Sequence, residues 1–132
     1  MEFTLNINPP TVTAQERKVT IRNGRPRFYE GAKLKAARNL FLLALAEHRP
    51  EEPLEGPVRL TVEWRFGTKS HREGSYRITR PDLDNLEKLL KDCMTMTGFW
   101  KDDSQVCRET VTKRWSRTAP GISIKVVSLN AE

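Results

Sequence analysis

Long apolar runs are missing from this chain of 132 residues. Nowhere do about 18 apolar residues follow one another, so no membrane-spanning helix is expected. The opening Met1-Glu2-Phe3-Thr4 lacks the basic-then-apolar layout of a secretory signal, and the expected location is the cytoplasm. Cysteine and histidine are scarce. Cys93 and Cys107 stand too far apart for a CxxC pair, and with His48 and His71 as the only histidines no zinc spacing can be assembled. Both cysteines are expected to be reduced packing residues, and both histidines to carry no chemistry. No Pro/Gly/Ser-rich stretch divides the chain, and no internal repeat or low-complexity segment stands out, so residues 1–132 are expected to form a single domain.

Negative charge is in deficit. The 23 Lys and Arg outnumber the 17 Asp and Glu, giving a formal net charge of +6. Such a surface attracts polyanions through counterion release, which makes nucleic acid the first partner to consider and a merely solvated basic surface its alternative. Hydrophobic residues make up 37%, enough for a modest core that would gain from burial against a second subunit.

Phe3, Leu5 and Ile7 alternate with polar residues until Pro9-Pro10, the period of a half-buried strand. After a polar stretch over residues 11–17, segments 18–21 and 26–29 flank Asn23-Gly24, a dipeptide suited to a tight turn, and predict a short hairpin carrying Arg22, Arg25 and Arg27. Over residues 30–48, Ala37, Leu40, Phe41, Ala44 and Leu45 fall at helical spacing with Lys33, Lys35 and Arg38 off the stripe; Arg49-Pro50 ends that helix. Val58, Leu60, Val62, Trp64 and Phe66 form the clearest strand pattern in the chain. Residues 67–79 contain glycines, Lys69, His71, Arg72 and Arg77, and predict an exposed, basic, mobile loop. Leu83, Leu86, Leu90, Cys93 and Met94 mark a second helix, opened by Asp82 or Asp84 and closed by Gly98. Two final strands are expected over 106–115 and 122–127. The order predicts an α+β fold, a mixed β-sheet of about five to six strands with two main helices.

Two aspartates two residues apart at a helix start can turn toward a common point, and Asp84, Lys88 and Asp92 share one face at four-residue spacing. The structural alternative is that Asp82 or Asp84 caps the helix and that Asp84 pairs with Lys88. Capping needs only one of the two, however, and a second acidic cluster follows at Lys101-Asp102-Asp103. Carboxylates gathered without Cys or His suit a hard cation such as Mg²⁺ or Mn²⁺. A helix over residues 83–97 is roughly 21 Å long, and about six extended residues span at most ~20 Å. A return of Asp103 to Asp82 within one chain is therefore only just within reach, and delivery by a second subunit is the alternative.

Asp82-Leu83-Asp84-Asn85-Leu86, Lys88, Gly98-Phe99-Trp100, Asp102-Asp103 and Gln105-Val106 together resemble the signature of the RusA-type Holliday junction resolvases, in both order and spacing. Gly24-Arg25-Pro26-Arg27-Phe28 and the strand over 58–66 agree more loosely. The resemblance implies a homodimeric, Mg²⁺-dependent endodeoxyribonuclease acting on four-way DNA junctions. It puts Asp82, Asp84 and Asp103 at the family's catalytic, metal-binding aspartates and Lys88 at its catalytic lysine, and leaves the role of Asp102 open. Members of the family can carry a run of arginines before the first aspartate; here Ile78-Thr79-Arg80-Pro81 supplies only Arg80, a departure that bears on junction selectivity more than on cleavage.

Candidate phosphate contacts are Arg25, Arg27, Lys33, Lys69, Arg72 and Arg80, each with plain surface charge as the alternative. A two-fold dimer would present two sites to the two strands of opposite polarity at a junction. The competing functional class is a non-catalytic module that binds structured DNA with the same fold, distinguished by indifference to Mg²⁺. A nuclease of another family ranks last, because no Asp-x-Lys or Glu-x-Lys follows Pro81-Asp82 on the later strands.

Overall fold

The apolar alternation from Val58 to Phe66 forms the spine of the molecule. In the computed structural model, which describes residues 1–11, 18–22, 24–29 and 31–130, with backbone alone at 18–22 and 26–29, that segment is strand β4 (Val58–Gly67), its apolar positions buried and its polar ones half-buried. It pairs antiparallel with β6 (Gly121–Ser128) and parallel with β5 (Val106–Ser116), and β6 pairs with β1 (Glu2–Leu5). The resulting sheet is mixed and four-stranded, in the order β1-β6-β4-β5. Parallel neighbours need a crossover, and α2 (Leu83–Thr97) lies in the connection between β4 and β5.

The expected five to six strands are present, but not in one sheet. Strands β2 (Lys18–Arg22) and β3 (Arg25–Tyr29) pair only with each other, as a separate two-stranded ribbon. One sheet edge is closed to them, because the segment between β4 and α2 occupies the free side of β5. Gly74 N–H donates to Trp115 O, Trp115 N–H to Ser75 O, and Arg77 N–H to Lys113 O. The expected mobile loop at 67–79 is therefore exposed, as predicted, but fastened as a strap along a strand. Of the predicted turn, Gly24 has φ +73°, while Asn23 and the stretch 12–17 lie outside the described residues.

Helices α1 (Ala32–Ala46) and α2 pack on one face of the sheet around Trp64, whose ring meets Phe41 edge-on at 6.1 Å. In α1 the buried positions are Leu34, Phe41 and Leu45. Leu40, expected on the buried stripe, is 46% exposed: α1 touches its neighbours along a narrow seam, and Leu40 sits about 100° around the helix from Phe41. Helix α2 buries Leu86, Leu89, Leu90, Cys93 and Met94, close to the predicted stripe, with Glu87 as an unexpected addition. It ends as expected at Gly98, in the left-handed region at φ +92°, with Phe99 N–H returning to Met94 O.

Both cysteines are free thiols. Cys93 packs in the core as expected; Cys107 is exposed together with residues 108–110, where β5 forms the edge of the sheet, and it is the extra residue at the register shift between Val58 and Arg59. The two histidine rings serve packing: His48 stacks on Phe3 and His71 on Trp115. Among the described residues no helix is long and apolar enough to cross a membrane.

Candidate active site at the two ends of helix α2

The strap delivers Asp82 to the start of α2. Arg77 lies between two rings, its guanidinium 4.1 Å from the Phe66 centroid and 4.5 Å from that of Trp115. This partly desolvated position lowers its pKa. Lys113 of β5 donates to Thr79 O at 2.7 Å and Pro81 O at 2.8 Å, fixing the chain just ahead of the helix. Burial lowers the Lys113 pKa and Arg77 adds to that, while Asp82 opposes it. Pro81 is buried, and the first helical hydrogen bond runs from Leu86 N–H to Asp82 O.

Asp82 occupies the N-cap with extended backbone, yet its side chain makes no capping bond. Asp82, Asp84 and Lys88 are all exposed, and no Asp84–Lys88 ion pair forms among the described residues. The structural roles that could account for these carboxylates, capping and ion pairing, are thus not in use. The positive end of the helix dipole favours the charge of both and of any ligand they share. Asp84 opens onto a cleft of about 440 Å³ lined by Leu83, Glu87, Lys91, Glu109 and Val111.

The second acidic cluster stays at the other end. Asp102 caps the short 3-10 turn Asp103–Gln105: its carboxylate accepts Ser104 N–H at 2.9 Å, and Gln105 Oε1 accepts Lys101 N–H and Asp102 N–H in return. The Ser104 backbone bond holds the Asp102 carboxyl below the usual carboxylate range. Gln105 Nε2 ties the turn to Leu54 O and Gly56 O. Asp103 lines a second cleft, about 470 Å³, with Arg38, Asp92, Thr95, Met96, Lys101 and Asp102, beside the last turns of α2.

The separation follows from the strand register. Strand β5 begins beside the Asp103 turn and reaches the level of Pro81 only at Lys113, seven residues later and roughly 23 Å along the sheet. Return of Asp103 to Asp82 within the chain does not occur, and among the described residues no three carboxylate, histidine or cysteine side chains are close enough together to hold a metal ion. Asp82 and Asp84 share the amino end of α2, and Asp84 alone of the two lines the cleft there; Asp103 is not brought to them.

Of the candidate phosphate contacts, Arg25, Lys33, Lys69, Arg72 and Arg80 are exposed, and the side chain of Arg27 lies outside the described residues. Residues missed in the sequence are Lys113, Arg77, Glu87 and Glu109. For Glu87 a signal existed: at three residues from both Asp84 and Leu90 it falls between the acidic face and the apolar stripe of α2.

Comparison with known proteins agrees with the motif. The chain is 31% identical over 109 residues to the crossover junction endodeoxyribonuclease RusA of Lactococcus phage r1t, covering 80% of this chain and 81% of that protein. It is 31% identical over 124 residues to the uncharacterized protein YqaN of Bacillus subtilis, covering 85% and 86%. To the crossover junction endodeoxyribonuclease RusA of Escherichia coli K12 it is 30% identical over 92 residues, covering 70% and 69%. The family profile described as Endodeoxyribonuclease RusA matches residues 8–127, which include both acidic clusters, the basic strap and all of α2. The chain belongs to the RusA endodeoxyribonuclease family.

Proposed function

We propose that this protein is a divalent-metal-dependent, structure-selective endodeoxyribonuclease that resolves four-way DNA junctions by paired nicks, and that it works as a homodimer whose two sites are each shared between subunits. The observation that carries this is the split acidic set: Asp82 and Asp84, free of structural duties, at one end of α2, and Asp103 at the other. An isologous dimer with the two α2 helices antiparallel sets the Asp82–Asp84 end of each subunit against the Asp103 end of the other. Family membership supports the reaction class, because the phage and Escherichia coli relatives are named crossover junction endodeoxyribonucleases.

The donor set fits a hard cation: all three are exposed carboxylates, and Asp82 and Asp84 stand at a helix N-terminus. Asp82, Asp84 and the second subunit's Asp103 would hold Mg²⁺, with Mn²⁺ as the expected substitute. Bound there, the cation supplies Lewis-acid stabilisation and acidifies the attacking water. Lys88, one turn from Asp84, offers an ammonium to the charge that develops on the phosphate as the water oxygen bonds to phosphorus and the P–O bond to the leaving strand breaks. Arg25, Arg27, Lys33, Lys69, Arg72 and Arg80 would hold the backbone without reading sequence. The cytoplasm is the proposed location, where a four-way DNA junction would be met.

The test is cleavage of a synthetic mobile junction against plain duplex, with and without Mg²⁺, by wild type, Asp84→Asn, Asp103→Asn and a mixture of the two variants. Each variant alone should bind the junction and fail to cut. In the mixed dimer one site combines both defects and the other has none, so mixing should restore single-strand nicking. If mixing restores nothing while both variants fold and dimerise, the shared site is wrong. Binding without cutting under any metal selects the non-catalytic module instead.

A further inference from the structure

Beneath the Asp84 cleft lies an acidic side chain that the nuclease reading leaves without a task. Glu87 is 4% exposed, and its charged neighbours are few. Helix α2 itself presents Asp84 and Lys91, β5 presents Glu109, and β4 presents only the neutral Trp64 indole; helix α1 meets this region through the apolar Phe41 ring against Trp64. No salt bridge reaches Glu87 among the described residues.

The two oxygens have different surroundings. Oε1 accepts the Trp64 indole N–H at 2.8 Å. Oε2 is buried and has no hydrogen-bond partner, and the Glu109 carboxyl lines the same cleft. A buried carboxylate oxygen without a donor, beside a second carboxylate, is costly to keep charged, so one of the two acids carries a proton. Lys91 Nζ grips Glu109 at 3.0 Å, and the Glu109 side chain keeps 26% exposure, so Glu109 is the one that stays charged.

We propose that Glu87 is a positioning residue that acts as a neutral acid: by donating to Glu109 and accepting from Trp64 it pins the second turn of α2 to β4 and β5, and so fixes the rotation at which Asp84 faces its cleft. Residues three apart on a helix lie about 60° apart around its axis, so a small rotation at Glu87 moves Asp84 directly. The role of Asp84 here rests on the nuclease reading; the protonation of Glu87 does not. Burial first, and the Glu109 contact second, push the Glu87 carboxyl up to about 8, with the Trp64 bond pulling the other way.

Glu87→Gln is the isostere of the neutral acid, able to donate to Glu109 and accept from Trp64, whereas Glu87→Leu keeps the bulk and loses both bonds. A carboxyl raised on folding contributes stability that is fully present below its ordinary value of 4.5 and is lost as pH rises through about 8. The unfolding midpoint of wild type should therefore fall relative to Glu87→Gln between pH 5 and 9, with the two nearly equal at the acid end. Junction nicking near pH 6 should be within about twofold for wild type and Glu87→Gln and fall about tenfold or more in Glu87→Leu, with the Mg²⁺ midpoint of Glu87→Gln unchanged. A wild-type-minus-Gln difference that does not vary with pH overturns the neutral acid. A folded Glu87→Gln that cannot cut near pH 6 and needs more Mg²⁺ makes Glu87 a charged metal ligand and overturns the positioning role. Wild type that cuts no junction defeats the nuclease reading, while the stability measurement still decides whether Glu87 carries the proton.

Discussion

At the amino end of α2, Asp82 holds the cap position and leaves its carboxylate unused; beyond the carboxy end, Asp102 holds the cap position of the following turn and commits its carboxylate to Ser104 N–H. The two residues occupy the same kind of backbone position with the same side chain. What separates them is that the second turn is closed by a reciprocal box through Gln105, whereas α2 starts from a strap already fixed by Lys113 and Pro81. A helix start held from outside does not need its cap, so its carboxylates are available for a ligand. By the same reasoning Asp102 is committed to its turn, and its neighbour Asp103 is the acid we propose for the metal.

The sharpest way to break that division is to exchange the burdens. Asp103→Asn should lower junction cutting by about 10³-fold, the several kcal/mol expected for a lost metal ligand, and should change stability by less than about 0.5 kcal/mol. Asp102→Ala should do the reverse, lowering the unfolding midpoint as a lost cap while keeping most of the cutting. Denaturant unfolding and a junction-nicking time course on both variants decide it. An inactive, stable Asp102→Ala beside an active Asp103→Asn would exchange the two assignments.

The two ends also differ in how they are tied to the sheet, through Trp64–Glu87 near the amino end and through Gln105 at the other. Trp64→Phe keeps the aromatic body in the core but strands Glu87 Oε1 without a donor, and it should cost about 2 kcal/mol in urea unfolding. It should also slow cutting, because the amino end carries Asp84. A variant that loses stability with an unchanged rate would show that α2 keeps its rotation without this bond.

The strands and helices were legible because their apolar periods are strong: β4, α2 and its Gly98 stop lie where the pattern of Leu, Val and Trp requires. The acidic motif was legible because its members are close in sequence. Partition of the strands into two sheets was not, since a hairpin pattern says nothing about which edge is free, and the edge of β5 is taken by backbone bonds from the strap. Nor was the strap's fixity, because Arg77 between Phe66 and Trp115 is a long-range packing event that a basic, glycine-containing segment conceals. Leu40 failed because a helix of similar residues all round offers more than one stripe, and only the partner surface selects Leu34, Phe41 and Leu45. Whether Asp103 returned to Asp82 depended on the direction of β5, which no local pattern carries.

The smallest effect concerns charge at the two ends. Arg80 is exposed just ahead of Asp82, and Lys101 is exposed beside the Asp103 cleft. If opposite ends of two subunits make one site, both side chains face the same DNA, and replacing either with Ala should reduce the slope of log K against log salt by about one while weakening junction and duplex binding alike. Stability should move by no more than about 0.5 kcal/mol in either case. Fluorescence anisotropy across a salt series measures the slope. A full effect for Arg80→Ala with none for Lys101→Ala would place the DNA at the amino end alone, and the carboxy-end acids would then need a different explanation from a shared site.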